Sequence, residues 1–96
     1  MNLANVHVYL GLYERARAEA EQVLKESEAA GLRAIAAQAT TVLAERAARE
    51  CNIDVALAGY DDGVARYRAL GQKREVTETL LDSAEVLLDR DGPVDA

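Results

Sequence analysis

The chain has 96 residues, half of them hydrophobic, with no Phe or Trp and a single Pro, so it can build one modest core but not a roomy catalytic cleft. Its 17 acidic and 11 basic residues give a net charge of −6, which argues against nucleic-acid binding because phosphates require a basic face. No apolar run approaches the roughly 20 residues of a membrane span, no charged-then-apolar leader opens the chain, and the lone Cys51 cannot form an internal disulfide. We therefore expect a soluble, cytoplasmic protein without a membrane partner.

Apolar residues recur at helical spacing through nearly the whole chain. We expect about five helices: the tail of one at 2–10, then 13–30, 33–50, a fourth that begins near Asn52 or Asp54, and 73–89. Glycine is predicted to separate the helices at Gly11, Gly31 and Gly71. The stripes expected to face the core are Tyr13, Ala16, Ala20, Val23 and Leu24, then Ile35, Ala39, Val42, Leu43 and Ala47, and finally Val76, Leu80, Ala84, Leu87 and Leu88.

The stretch AGYDDG, at residues 58–63, could be a loop or the middle of a helix. A calcium-binding loop needs alternate acidic ligands, then glycine and a later glutamate, whereas Asp61 and Asp62 are adjacent. The apolar residues around the stretch keep a helical spacing, namely Tyr60, Val64 and Tyr67. We therefore predict a helix in which Gly59 and Gly63 share one face and admit a close neighbouring helix, although each costs roughly 1 kcal/mol relative to alanine.

A shift of 40 residues superimposes the chain on itself. It places Gly31 on Gly71, and it also pairs Ala16 with Ala56, Ala18 with Ala58, Ala29 with Ala69, Ala44 with Ala84 and Glu45 with Glu85. Most of these matches are alanines in an alanine-rich chain, so their placement matters more than their number. Small residues recur where paired helices must approach closely, and we expect Ala44 and Ala84 at such contacts.

The segment GLYERARAEAEQVL resembles the second half of a tetratricopeptide repeat, at Gly11, Tyr13 and Ala16. In the next copy Ile53 and Ala56 match, and Cys51 replaces the glycine. The repeat is lengthened from 34 residues to 40, as in sensory and scaffolding regions of large bacterial regulators. The resemblance implies an all-α domain over 1–96, in which antiparallel helical hairpins stack as a short α-solenoid of about two and a half repeats.

The resemblance also implies a partner-binding groove formed by the first helices of successive repeats. The positions that correspond are Asn5, Val8, Tyr9, Gln38, Thr41, Glu45, Ala48, Arg49, Glu78, Leu81, Glu85, Leu88 and Asp89. These include more carboxylates than basic groups, so a bound peptide or protein segment is expected to carry Lys or Arg beside a few apolar anchors. The implied function is a non-catalytic interaction scaffold in a regulatory protein. The alternative is a structural module that self-associates.

No residue pattern indicates catalysis or a cofactor. His7 is the only histidine and has no nucleophile or carboxylate partner at a telling spacing, and Cys51 lies at a helix end where an idle thiol is the simpler interpretation. The chain contains no phosphate loop and no Cys/His set with metal-ligand spacing. We therefore expect no enzyme activity, no cofactor and no bound metal.

The two ends of the chain cut through the repeat register. Residues 92–96 align with 52–56, the opening of a second helix, so the helix at 73–89 lacks a successor and leaves apolar residues uncovered. Solenoids normally close such ends with polar capping repeats. The chain is therefore expected to be a fragment of a longer array, or to cap itself by homodimerising through its terminal helices.

Overall fold

The computed structural model of the protein describes the backbone of residues 3–91 and the side chains of residues 14–89. Over this range the fold is all-helical, as predicted. Its four helices are α1 (Leu3–Ala30), α2 (Arg33–Arg49), α3 (Ile53–Ala69) and α4 (Lys73–Asp91). The extensive contacts join helices that follow one another, with α1 packed on α2, α2 on α3 and α3 on α4.

The predicted break at Gly11 is wrong. The helix tail predicted at 2–10 is not a separate element, because α1 continues through Gly11 from Leu3 to Ala30. One glycine inside a helix costs only about 1 kcal/mol relative to alanine, and the residues that follow it favour helix. The described backbone therefore contains four helices where the sequence predicted about five.

Three turns of the same geometry connect the helices, and they stand 20 residues apart at Gly31, Cys51 and Gly71. Each of these residues has a positive φ, of 74°, 62° and 72° respectively. In each turn the amide of this residue donates to the carbonyl three residues back, and the next amide donates to the carbonyl five residues back at 2.8, 2.8 and 3.0 Å. These paired bonds are Schellman motifs. The stops predicted at Gly31 and Gly71 are confirmed, whereas the stop at Cys51 breaks the preference for glycine at positive φ.

The stretch at 58–63 is helical, as predicted, and lies inside α3. A Cβ atom added at Gly59 would lie 2.8 Å from the Ala44 Cβ, and one added at Gly63 would lie 2.6 Å from the Thr41 Cγ2. Both distances are far below van der Waals contact, so α2 and α3 approach as closely as they do because two side chains are missing. Asp61 is exposed to solvent.

The core is built largely from small residues around one tyrosine. Its buried cluster comprises Ala44, Ala47, Ala56, Tyr60 and Val86. The stripe predicted in α3 is correct, since Tyr60, Val64 and Tyr67 are all buried.

The predicted stripe in α2 is partly wrong, because Ile35 and Val42 are 43% and 38% exposed. The alanines at 36, 37 and 44 are buried instead. Since α2 lies between α1 and α3, two of its faces are covered, and small side chains fit both contacts better than large ones.

The stripe predicted in α4 lies mostly on the wrong face. Leu80, Ala84, Leu87 and Leu88 are exposed, and the buried residues of the helix are Thr79 and Val86. Ala44 lies at a close helix contact as expected, but Ala84, its equivalent 40 residues later, does not. The physical reason is that α4 packs on α3 by one side only, whereas α2 packs on both α1 and α3.

Candidate functional site

An open depression of about 430 Å³ lies between α2 and α4, above α3. We call it the acidic groove. Its lining residues are Glu45, Ala48 and Arg49 from α2, Tyr60 from α3, and Asp82, Glu85, Val86 and Asp89 from α4.

Beside this depression, α3 packs closely on both of its neighbours in chain order, α2 and α4. Gly63 of α3 faces both of them, since a Cβ added there would lie 2.6 Å from the Thr41 Cγ2 of α2 and 3.6 Å from the Thr79 Cγ2 of α4. Each threonine hydroxyl forms a hydrogen bond within its own helix. Thr41 donates to the carbonyl of Gln38 at 2.8 Å, and Thr79 donates to the carbonyl of Glu75 at 2.7 Å. Methyl groups therefore face the glycine, and no polar group is buried without a partner at this junction.

Negative charge dominates the acidic groove. Four carboxylates line it, on Glu45, Asp82, Glu85 and Asp89, against one guanidinium on Arg49. Arg49 donates to the Glu45 carboxylate at 2.7 Å across one helical turn, which leaves the three acidic residues of α4 without a basic side chain among the lining residues.

The pKa values of two residues in the groove are raised. The pKa of Asp82 is raised, first by partial desolvation and then by repulsion from Glu85, Glu45 and Glu78. The pKa of the Tyr60 phenol is also raised, first by burial and then by the charges of Asp82, Glu45 and Glu85, while Arg49 acts in the opposite direction. Both shifts mean that the ionised, negatively charged form of each side chain is disfavoured in the groove.

The structure brings together five of the residues that the sequence predicted for the groove. Glu45, Ala48 and Arg49 face Glu85 and Asp89 across the depression. Sequence reasoning missed three others, Tyr60, Asp82 and Val86. Asp82 could have been found, because it lies three residues before Glu85 and seven before Asp89, on one side of a helix.

The remaining predicted residues lie elsewhere. Gln38 lines a smaller depression of about 250 Å³ with Ile35 and Tyr67. Glu78 is exposed and accepts a hydrogen bond from Arg74 at 3.0 Å. The side chains of Asn5, Val8 and Tyr9 lie outside the described residues.

Leu81 and Leu88 do not line the acidic groove and are 60% and 57% exposed. The repeat positions to which they belong correspond to Thr41 and Ala48 of α2, which lie on the side facing the succeeding helix α3. The prediction assigned the same positions in each copy to one groove. In α4 these positions face away from the groove.

A second depression, of about 440 Å³, is lined by parts of α1, α2 and α3. Its most prominent charged group, Arg66, is held by Glu28 at 2.9 Å and by Asp62 at 3.2 Å. The hydrogen bond to Glu28 and the charge of Asp62 raise the pKa of Arg66, so the guanidinium is committed to these two carboxylates. This ion-pair cluster ties α1 to α3, and it offers a ligand less uncompensated charge than the acidic groove does.

Within residues 14–89 no three His, Cys, Asp or Glu side chains are placed to hold a metal ion. In the part of the chain that the structure describes, no helix combines the length and apolarity needed to cross a membrane. Comparisons of the chain with models of known protein families, with curated proteins and with solved structures find no match.

Proposed function

We propose that the protein is a non-catalytic interaction scaffold of the tetratricopeptide type, part of a bacterial regulatory protein, which binds a basic peptide or protein segment in the acidic groove. The observation that carries this proposal is the arrangement of four carboxylates from two helices around Tyr60, with Arg49 as the one basic side chain among the described lining residues. A groove that concentrates one sign of charge favours a partner of the opposite sign and speeds its encounter.

The residues that line the groove indicate which side chains the partner carries. A Lys or Arg side chain that reaches Asp82 would offset the repulsion from neighbouring carboxylates, which adds to desolvation in raising the pKa of this residue. Ala48 and Val86 supply the apolar part of the lining, which suits a small aliphatic side chain next to the basic one. Arg49 is already bonded to Glu45 but is exposed enough to reach a carbonyl oxygen of the bound backbone.

The groove is better suited to binding than to catalysis. Tyr60 carries its only hydroxyl group, and a phenol whose pKa is raised stays protonated near neutral pH and is a poor nucleophile. Asp82 has a raised pKa, but none of the lining residues is a serine, cysteine or histidine that it could activate.

The proposal is tested by measuring binding of the full chain to an array of peptides. Each peptide combines one or two Lys or Arg residues with aliphatic neighbours. The affinities of the peptides that bind are then measured by calorimetry for the native protein and for a groove variant. This variant carries Asp82→Asn with Glu85→Gln and Asp89→Asn. A matched control neutralises three exposed carboxylates of α1 instead, Glu14→Gln with Glu19→Gln and Glu21→Gln. Both variants change the net charge equally.

We expect the groove variant to lose at least about tenfold in affinity, or about 1.4 kcal/mol, and the α1 variant to bind as the native protein does. Affinity for the native protein should fall between low salt and about 0.5 M salt, because partly exposed charge pairs are screened. Equal losses in both variants, or selection of acidic peptides by the array, would refute the proposed groove.

A further inference from the structure

One side of α4 is apolar and exposed. Leu80, Leu81, Leu87 and Leu88 are 46%, 60%, 38% and 57% exposed, and Ala84 lies exposed between them. We call these five residues the leucine face. They lie on a different side of α4 from the acidic groove, since at about 100° per residue Ala84 projects roughly 160° away from Asp82.

The equivalent side of α2 shows what such a face does in this fold. A shift of 40 residues places the leucine face on a set that is buried or half-buried, and α3 packs against it through Ala44 and Thr41. The full set is Thr40, Thr41, Ala44, Ala47 and Ala48. In α2 this side of the helix therefore packs against the next helix. On α4 no residue among 14–89 covers the equivalent side.

The occupant of the leucine face cannot be a copy of α3 packed in the same way. The α2 set is made only of Ala and Thr, and Gly59 and Gly63 of α3 fit against it at distances that leave no room for a Cβ. On α4, leucines replace four of the five small residues. These larger side chains keep a partner helix at a greater distance from α4 than α3 keeps from α2. The partner surface must therefore be apolar and must have space at its centre.

The spacing of the leucine face matches itself in reverse. Leu80 and Leu81 lie four and three residues before Ala84, and Leu87 and Leu88 lie three and four residues after it. A second α4, turned antiparallel and crossing at Ala84, would place its Leu87 and Leu88 against Leu80 and Leu81 of the first copy, with both small alanines at the crossing. This is the self-complementarity that an isologous two-fold contact requires.

We propose that the leucine face binds the leucine face of a second copy of this chain, so that two antiparallel α4 helices cross at Ala84. This contact goes beyond the proposed peptide binding and does not depend on it. In this arrangement each copy covers the leucine face of the other, so the assembly stops at a dimer.

A head-to-tail arrangement, in which α1 of one copy packs on α4 of the next, fits less well. The α1 residues equivalent to Gly59 and Gly63 are Glu19 and Val23, and both are exposed. This arrangement would set a carboxylate against Ala84, where α3 has no side chain at the equivalent contact, and burying an unpaired charge is costly.

The test begins with the mass of the full chain by sedimentation equilibrium over a wide range of concentration. We expect a reversible dimer whose association is weakened at least about tenfold by Leu81→Gln with Leu88→Gln. The matched control, Ile35→Gln with Val55→Gln, changes residues of comparable exposure on α2 and α3 (43% and 54%) and should leave the dimer intact. Circular dichroism of each variant shows whether it is folded.

Cysteine cross-linking tests the geometry, in a background where Cys51→Ser removes the native thiol. Ala84→Cys should form an intermolecular disulfide readily, because two-fold symmetry brings the two copies of this position together. Thr77→Cys should not, because the two copies would lie about 21 Å apart along an antiparallel pair at 1.5 Å per residue. A strictly monomeric chain, equal cross-linking at both positions, or loss of the dimer in the control variant would overturn the proposal.

Salt separates this contact from the acidic groove. Each copy carries a net charge of −6, so screening should leave the dimer unchanged or strengthen it, whereas binding of a basic peptide should weaken. A dimer that dissociates as salt rises would contradict an apolar interface.

Discussion

Gly59 of α3 and Ala44 of α2 lie so close that a Cβ atom on the glycine would be 2.8 Å from the alanine Cβ and 3.3 Å from its Cα. The second atom belongs to the backbone and cannot rotate away. The close approach of α2 and α3 at this point therefore depends on the absence of a side chain at Gly59.

Gly59→Ala should destabilise the protein by about 1–3 kcal/mol through overpacking, although alanine is favoured over glycine inside helices by about 1 kcal/mol. Urea denaturation measures the change in the free energy of unfolding. Ala44→Gly should restore part of the loss when it is combined with Gly59→Ala, because it removes the Cβ at 2.8 Å. A stabilised Gly59→Ala variant would mean that the two helices are further apart.

Gly63→Ala should also destabilise the protein, since its Cβ would lie 2.6 Å from the Thr41 Cγ2. Thr41→Ser removes this methyl group and keeps the hydroxyl that donates to the Gln38 carbonyl at 2.8 Å. In a double-mutant cycle the two changes should therefore couple favourably, by about 0.5–3 kcal/mol. Strictly additive effects would show that Thr41 is not what fills the space at Gly63.

Cys51→Gly should stabilise the protein by about 1 kcal/mol, because Cys51 is the one residue other than glycine with a positive φ among those described, at 62°. Cys51→Ala should have little effect, which separates the backbone strain from the loss of the thiol. Gly31→Ala and Gly71→Ala should each destabilise the protein by about 1 kcal/mol, and no atom within 4 Å would hinder the new methyl group. Thermal unfolding of the four variants measures these differences.

Asp82→Asn should raise the melting temperature at neutral pH. The pKa of Asp82 is raised in the folded protein by desolvation and by neighbouring carboxylates, so its charged form is disfavoured by folding, and stability is gained as pH falls through the folded pKa. The advantage of the variant should therefore shrink in acid, where Asp82 is itself neutral. Asp61→Asn removes an exposed carboxylate outside the groove and should show no such trend. An advantage that is independent of pH would contradict the raised pKa of Asp82 in the folded protein.

The sequence predicted the helical class, the turns at Gly31 and Gly71, and the helix through residues 58–63, because these depend on local preferences for dihedral angles and on spacing. It predicted the buried faces of α2 and α4 less well. In α2 the larger residues Ile35 and Val42 are exposed while alanines are buried, because close packing between two neighbours selects small volume over hydrophobicity. Which side of a helix is covered is decided by its neighbours, and the sequence of one helix does not contain that information.

The residues of the acidic groove also divide into those that the sequence predicts and those that only the packing reveals. Glu45, Arg49, Glu85 and Asp89 could be predicted because they recur at repeat-related positions. Tyr60 was assigned to the core stripe of α3, where it is indeed buried. Only the packing shows that it also forms the floor of a groove.

The contacts in chain order have a consequence for how the protein opens. Within one copy, α2 and α3 each pack on two neighbours and α4 packs on one. In the monomer, separating α4 from the rest therefore breaks a single interface, whereas separating α2 breaks two. Amide hydrogens of α4 should therefore exchange with solvent through a local opening well below the global free energy of unfolding, and those of α2 only close to it. Detachment of α4 would also remove Asp82, Glu85 and Asp89 from the groove in one step. Any partner that binds across α2 and α4 would thus slow the exchange of α4 selectively, and the rate at which this helix detaches would set an upper limit on how long the intact groove persists without a partner.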